Sequence, residues 1–119
     1  MAILNLTVHE ATPDQRKAGV DEPQDKGLVR EILNFEEIPS LDELADRADQ
    51  LAGVAAEGGY SYAMIGGAPF FMAELEYALA QEGVVPLYAF SKRESVETTE
   101  PDGSVVKKNM FKHLGFVRK

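Results

Sequence analysis

The stretch from residue 62 to residue 90 restricts the fold of this chain more than any other. Tyr62-Ala63-Met64-Ile65 is a short apolar run that empties into Gly66-Gly67-Ala68-Pro69; a helical stretch follows from Pro69 to about Gln81, Gly83 ends it, and Val84 to Phe90 is apolar again. Strand, glycine turn, helix and second strand in direct succession make a parallel βαβ unit, the building block of α/β folds.

The rest of the chain fits around that unit. Ile3 to Val8 is apolar and partly β-branched and reads as a buried first strand, with His9 at its carboxyl end. Thr12 and Pro13 are suited to the N-cap and first position of a short helix ending near Gly19. Leu28, Val29, Ile32 and Leu33 have helical spacing within Asp25 to Leu33, although Gly27 weakens that helix, and a turn or short extended piece covers Asn34 to Pro39. Ser40-Leu41-Asp42-Glu43 has the form of a capping box and opens a helix with an apolar stripe from Leu41 to Ala55, stopped by Gly58-Gly59. Pro101-Asp102-Gly103 lies between Val96-Glu97-Thr98-Thr99 and Val105-Val106-Lys107-Lys108, which predicts an antiparallel hairpin running on towards Phe116. The expectation is one α/β domain over residues 1–119, a Rossmann-like three-layer fold with a mainly parallel sheet and a C-terminal β-hairpin over about residues 94–117.

Charge narrows the partners. The net charge of −8 argues against a duplex-DNA binder, whose affinity comes largely from lysine and arginine on phosphates. The distribution is uneven: residues 1–83 carry 16 acidic and 5 basic side chains, residues 84–119 carry 4 and 7. Lys107, Lys108, Arg118 and Lys119 either solubilise a terminal hairpin or form part of a basic site. There is no cysteine, so disulfides and thiolate metal sites are excluded, and neither a signal peptide nor a membrane-spanning run is present. A cytoplasmic protein with no membrane partner is expected.

In an open parallel sheet, ligands bind beyond the carboxyl ends of the strands, which would bring three segments together: His9 to Thr12, Gly66 to Pro69, and Ser91-Lys92-Arg93. The glycine turn offers backbone N–H groups at a helix N-terminus, suited to phosphate, or it is only a tight turn; neither the dinucleotide fingerprint nor the Walker lysine pattern accompanies it. Ser91, Lys92 and Arg93 either clamp a phosphodiester or form a solvated strand end. His9 is either a general acid or base or a hydrogen-bonded structural group. His113 is the only other histidine, and with no HExxH-like spacing no protein-built metal site is expected.

Four segments in matching order carry a family resemblance: Leu6 to Gln15, the Ile65-Gly66-Gly67-Ala68 turn, Val85 to Arg93, and Asp102-Gly103-Ser104-Val105-Val106-Lys107 through Met110 to Phe116. Together they resemble the small CRISPR-associated Csx-type proteins counted among the ring nucleases. The stretch from Val85 to Phe116 is the most specific part, residues 20–60 depart from the pattern, and Phe90 stands where a small polar residue is expected.

The resemblance implies a Rossmann-like, dimeric subunit related to CRISPR-associated nucleotide-sensing domains. Such a protein binds cyclic tetra-adenylate across its two-fold axis and linearises it, ending type III antiviral signalling. It works without metal or cofactor, a ribose 2′-hydroxyl attacking its own adjacent phosphate. Carried onto this chain, His9, Ser91, Lys92 and Arg93 become the catalytic residues, and Thr12, Gly66, Gly67, Ala68 and His113 the substrate-binding ones. The hairpin becomes a dimer contact or a lid. Two other readings share much of this pattern: a sensor or sponge that binds a cyclic nucleotide without cutting it, and an α/β interaction protein with no nucleotide ligand.

Overall fold

A computed structural model describes residues 1–119. Five strands form one sheet in the order β2-β1-β3-β4-β5, where β1 is Ile3–Leu6, β2 Val20–Asp21, β3 Tyr62–Ile65, β4 Val85–Thr99 and β5 Val105–Arg118. The first four run parallel and β5 is antiparallel to β4, so the fold is mixed α/β with a mostly parallel sheet. The helices are α1 (Pro13–Lys17), α2 (Lys26–Leu33), α3 (Leu41–Glu57) and α4 (Pro69–Gln81).

Strand alternation explains how the layers form. Leu4, Leu6, Ala63 and Ile65 share one face of the sheet and pack into a single cluster with Val29 of α2, Leu51 of α3 and Phe71 and Leu75 of α4. The opposite face holds a smaller cluster of Ile3, Ala11, Val20, Met64 and Leu87. The expected third layer is thin there, because α1 has five residues and none of them is buried.

Local signals decide the helix starts. Thr12 accepts from the Gln15 N–H while the Gln15 side chain accepts from the Thr12 N–H, a complete capping box. At Ser40 only half of the expected box forms: Ser40 accepts from the Glu43 N–H, but Glu43 turns along α3 to meet Arg47 at 3.8 Å. Gly19, at φ +106°, follows α1, and a Cβ there would lie 2.0 Å from the Met1 carbonyl oxygen, so the close approach of the N-terminus to β2 requires glycine.

Strand β4 differs most from expectation. It does not end at Phe90 but continues to Thr99, paired with β5 from Leu87↔Arg118 to Thr99↔Val105. Ser91, Lys92 and Arg93 are therefore inside a β-ribbon, not in a loop past the strand. Their polarity resembled a strand end because a ribbon solvated on both faces needs no apolar alternation. A register shift between Phe90 and Ser91 leaves Leu114 as an extra residue on β5.

Candidate functional site: a pocket at the carboxyl ends of β1 and β3

Because β2 lies on one side of β1 and β3 on the other, chain connections leave β1 and β3 in opposite directions, which opens a crevice between their carboxyl ends. A pocket of about 540 Å³ occupies this place, within the size range of small-molecule sites. Its wall includes His9, Thr12, Gly66 and Gly67, with Tyr88 and Ala89 of β4. Four of the residues singled out in the sequence thus meet in one cavity.

The loop after β1 is held from below by Asn5, a fully buried polar side chain in an otherwise apolar strand. Asn5 Oδ1 accepts from the Thr7 N–H (3.1 Å) and lies 2.7 Å from the Thr7 hydroxyl; its Nδ2 donates to the His9 carbonyl (2.8 Å) and to Glu22 (3.0 Å). The His9 carbonyl also accepts from Lys26 Nζ (2.9 Å), and Arg30 Nε donates to the Val8 carbonyl (3.0 Å). These bonds occupy the backbone and leave the exposed His9 imidazole free at the pocket mouth.

Glu22, just past β2, completes the support. It accepts from the Ala11 N–H at 2.6 Å and from Asn5, and pairs with Lys26 at 3.1 Å. Burial pushes its carboxyl up, but the donors from Ala11, Asn5 and Lys26 outweigh this and hold it below the ordinary 4.5. The folded protein therefore favours the carboxylate. Its stabilising contribution is complete above pH 4.5 and is lost as pH falls through the depressed value. Glu22→Gln should lower stability at pH 7 by about 1–2 kcal/mol and flatten the acid limb of a urea-midpoint profile against pH; an unchanged acid limb would show that Glu22 does not carry it.

Beyond the glycine turn, the N-cap of α4 is Ala68, which provides no side-chain cap, whereas α1, α2 and α3 are each capped by a side chain. Gly67 precedes it at φ +155° and is exposed. Ala68 itself packs against the helix-layer core and lies outside the pocket wall. Tyr88 donates its hydroxyl to Glu76 at 2.7 Å, and burial followed by that acceptor raises its pKa, so it contributes an apolar ring rather than a base.

No lysine or arginine lines the pocket. Lys26 and Arg30 spend donors on loop carbonyls, and apart from Lys17 of α1 and the terminal Lys119 the cations without a partner stand on β4 and β5. Alternation along β4 puts Ser91 and Arg93 on the face of Ala89, at roughly 7 and 13 Å along the strand, with Lys92 on the opposite face. The expected Lys92-Arg93 clamp is therefore split between faces. His113 pairs with Ser91 across the ribbon, its ring 4.9 Å from Phe116, and its Nδ1 is buried without a hydrogen-bond partner. Ser91, Arg93 and His113 thus continue the face of Ala89, while Lys92 continues that of Tyr88, whose hydroxyl turns to α4; none of the four lines the cavity. Another cleft of about 490 Å³ beside α2 has Glu22, Asp25 and Glu57 in its wall, a set that repels phosphate.

Asn5, Gln15 and Glu22 were not singled out as site residues. A polar residue inside the apolar run Ile3 to Leu6 was a legible sign for Asn5, and the Thr12-to-Gln15 spacing was one for Gln15. Glu22 had none, since Asn5 and Ala11 reach it only through the fold.

Fold and pocket together define a class: α/β proteins with a mostly parallel five-stranded sheet and a concave site at the carboxyl ends of its central strands. Within that class, this chain belongs to the Uncharacterized protein MJ1673 family, whose model matches residues 1–117 and so takes in both body and ribbon. No curated protein and no solved structure matches the chain. No helix is long and apolar enough to cross a membrane.

Proposed function

We propose that the protein is a CRISPR-associated ring nuclease that binds cyclic tetra-adenylate at the carboxyl-end pocket and opens it without a metal, in the cytoplasm and as a homodimer. The finer fold reading is Rossmann-like, supported by the strand order and by a pocket between β1 and β3. The observation that carries the functional reading is that His9, Thr12, Gly66 and Gly67 meet in one pocket whose β4 wall continues into Ser91 and Arg93.

In this reading the backbone N–H groups of the Gly66-Gly67-Ala68 turn hold a phosphate ahead of α4, whose own first residue, Pro69, has no N–H and whose Phe71 N–H is bonded to the Ala68 carbonyl. Arg93 neutralises charge that develops on the phosphoryl oxygens. The 2′-oxygen of one ribose forms a bond to the adjacent phosphorus as the bond to the 5′-oxygen breaks, giving a 2′,3′-cyclic phosphate and a 5′-hydroxyl. The proton leaves the 2′-hydroxyl for His9, and the resulting imidazolium returns it to the departing 5′-oxygen, so no water is consumed. The protein's work is positioning and charge stabilisation. The acidic body disfavours long nucleic acid, while a small ring needs only a local basic surface.

Incubation of the purified protein with cyclic tetra-adenylate in EDTA, followed by mass analysis, tests this. One cut gives linear tetra-adenylate and a second, at the two-fold-related site, gives two molecules of linear di-adenylate ending in a cyclic phosphate, the expected final product, with loss of turnover in His9→Ala. An intact ring overturns the enzyme reading: a ring that still raises Tm marks a sponge, and one that does not marks an interaction protein.

A further inference from the structure

The ribbon reaches well beyond the sheet that anchors it. The radius of gyration is 17.0 Å, against about 13.5 Å for a compact chain of this length, and from Ala89 to Lys119 no residue is buried. Two strands alone are at best marginally stable in water, so a surface that packs on the ribbon is needed.

Pairing sorts the ribbon's side chains. Lys92↔Lys112, Glu94↔Met110, Val96↔Lys108 and Thr98↔Val106 lie on one face, which therefore combines three lysines, a single carboxylate and three apolar side chains. None of these lysines has a carboxylate within 4.0 Å; the ribbon's one ion pair, Lys107 with Glu97, is on the other face. Lys92 and Lys112 stand directly opposite each other, a like-charge pair that costs stability until an anionic surface meets it.

The body carries the complement. Ile38 is 98% exposed at the edge of an apolar hollow of about 620 Å³ formed by Phe35, Leu44 and Phe70, with Glu36 and Glu37 on its rim. These two carboxylates also border a cleft with Glu31 and Glu43, whose only cation, Arg47, is committed to the Ile32 and Asn34 carbonyls at 2.8 Å and to Glu43. Leu33, at the end of α2, packs beside Gly67, and Phe70 lies in the first turn of α4, so the hollow is at the same end of the sheet from which the ribbon leaves. The ribbon runs away from its own body and cannot cover its own hollow.

We propose that the lysine face of the ribbon docks on the Ile38 hollow of a second copy of this chain, reciprocally about a two-fold axis. Both surfaces are at one end of the subunit, which is what a closed, self-complementary dimer requires. Charge complementarity selects a second copy over nucleic acid, since the basic ribbon and the acidic hollow belong to one chain and duplex DNA would meet the body's excess of carboxylates. The inference rests on the two-copy assembly of the preceding reading but not on its chemistry.

Sedimentation velocity without nucleotide tests it. The wild type should sediment at twice the 13.0 kDa chain mass at about 10 µM protein, with dissociation promoted by salt. Ile38→Asp alone and Lys108→Glu with Lys112→Glu should each be monomeric at that concentration, with the helical far-UV signal unchanged because all three positions are exposed, and only the strand signal of the released ribbon reduced. An equimolar mixture of the two variants should recover dimers, since one ribbon–hollow contact is intact in the mixed pair. A monomeric wild type, a dimer constant shifted less than threefold by either variant, or a mixture that stays monomeric would overturn the proposal. A dimer that behaves as expected but leaves cyclic tetra-adenylate intact sinks the catalytic reading alone.

Discussion

Asn5→Leu should lower Tm by about 10 °C, from a loss of roughly 3 kcal/mol. Leucine is apolar and of similar size, so the strand keeps its packing while the polar partners lose theirs. The Thr7 N–H loses its acceptor, and Glu22 and the His9 carbonyl each lose a donor, all in a partly buried setting. An unpaired buried group costs more than a hydrogen bond contributes, and a carboxylate costs more than an amide. The same change should loosen the loop from Thr7 to Glu10, so ligand binding should fall even at temperatures where the variant is folded. Thermal melts followed by circular dichroism measure the first effect, and a fall of less than 2 °C would show that Asn5 is not the hub that its hydrogen bonds describe.

The other large effect concerns the two adjacent cations. Arg93→Ala should slow opening of cyclic tetra-adenylate by about 10²–10³-fold, the usual cost of removing one donor to a developing oxyanion, whereas Lys92→Ala should slow it less than tenfold at protein concentrations that keep the dimer intact. Strand alternation is the reason: Arg93 shares the face of Leu87 and Ala89, the side of the sheet on which Met64 and Ala11 lie next to Thr12 of the pocket, whereas Lys92 shares the face of Tyr88, which turns to Glu76 of α4, and stands opposite Lys112. Single-turnover rates with saturating enzyme separate chemistry from binding. Equal losses in the two variants would mean that the ribbon twists enough to bring both cations to one phosphate, and the assignment of faces would fall.

Much of the fold was legible. The βαβ unit from Tyr62 to β4, the N-caps at Thr12 and Ser40, and the turn at Pro101-Asp102-Gly103 all follow from side-chain chemistry acting within a few residues. The two-residue β2 was not legible, because Val20-Asp21 has no pattern of its own and becomes a strand only by pairing with Ile3 and Leu4. Nor was the length of β4, since Ser91 to Glu94 is polar on both faces and only pairing with β5 makes it a strand. At the candidate site, His9, Thr12, Gly66 and Gly67 could be named from position at strand ends, while Asn5 and Glu22 required the fold to bring them together.

The sequence by itself determined the α/β class, the end of the sheet at which the pocket with His9, Thr12, Gly66 and Gly67 lies, and the division of charge between an acidic body and a basic tail, because each depends on local pattern or on counting. Tertiary structure alone decided which residues share a face. Lys92 and Arg93 are neighbours in the chain and separated in space, while Asn5 and Glu22 are 17 residues apart and in contact. Register in a sheet is set by the partner strand, and a one-residue change of register moves every side chain to the other face.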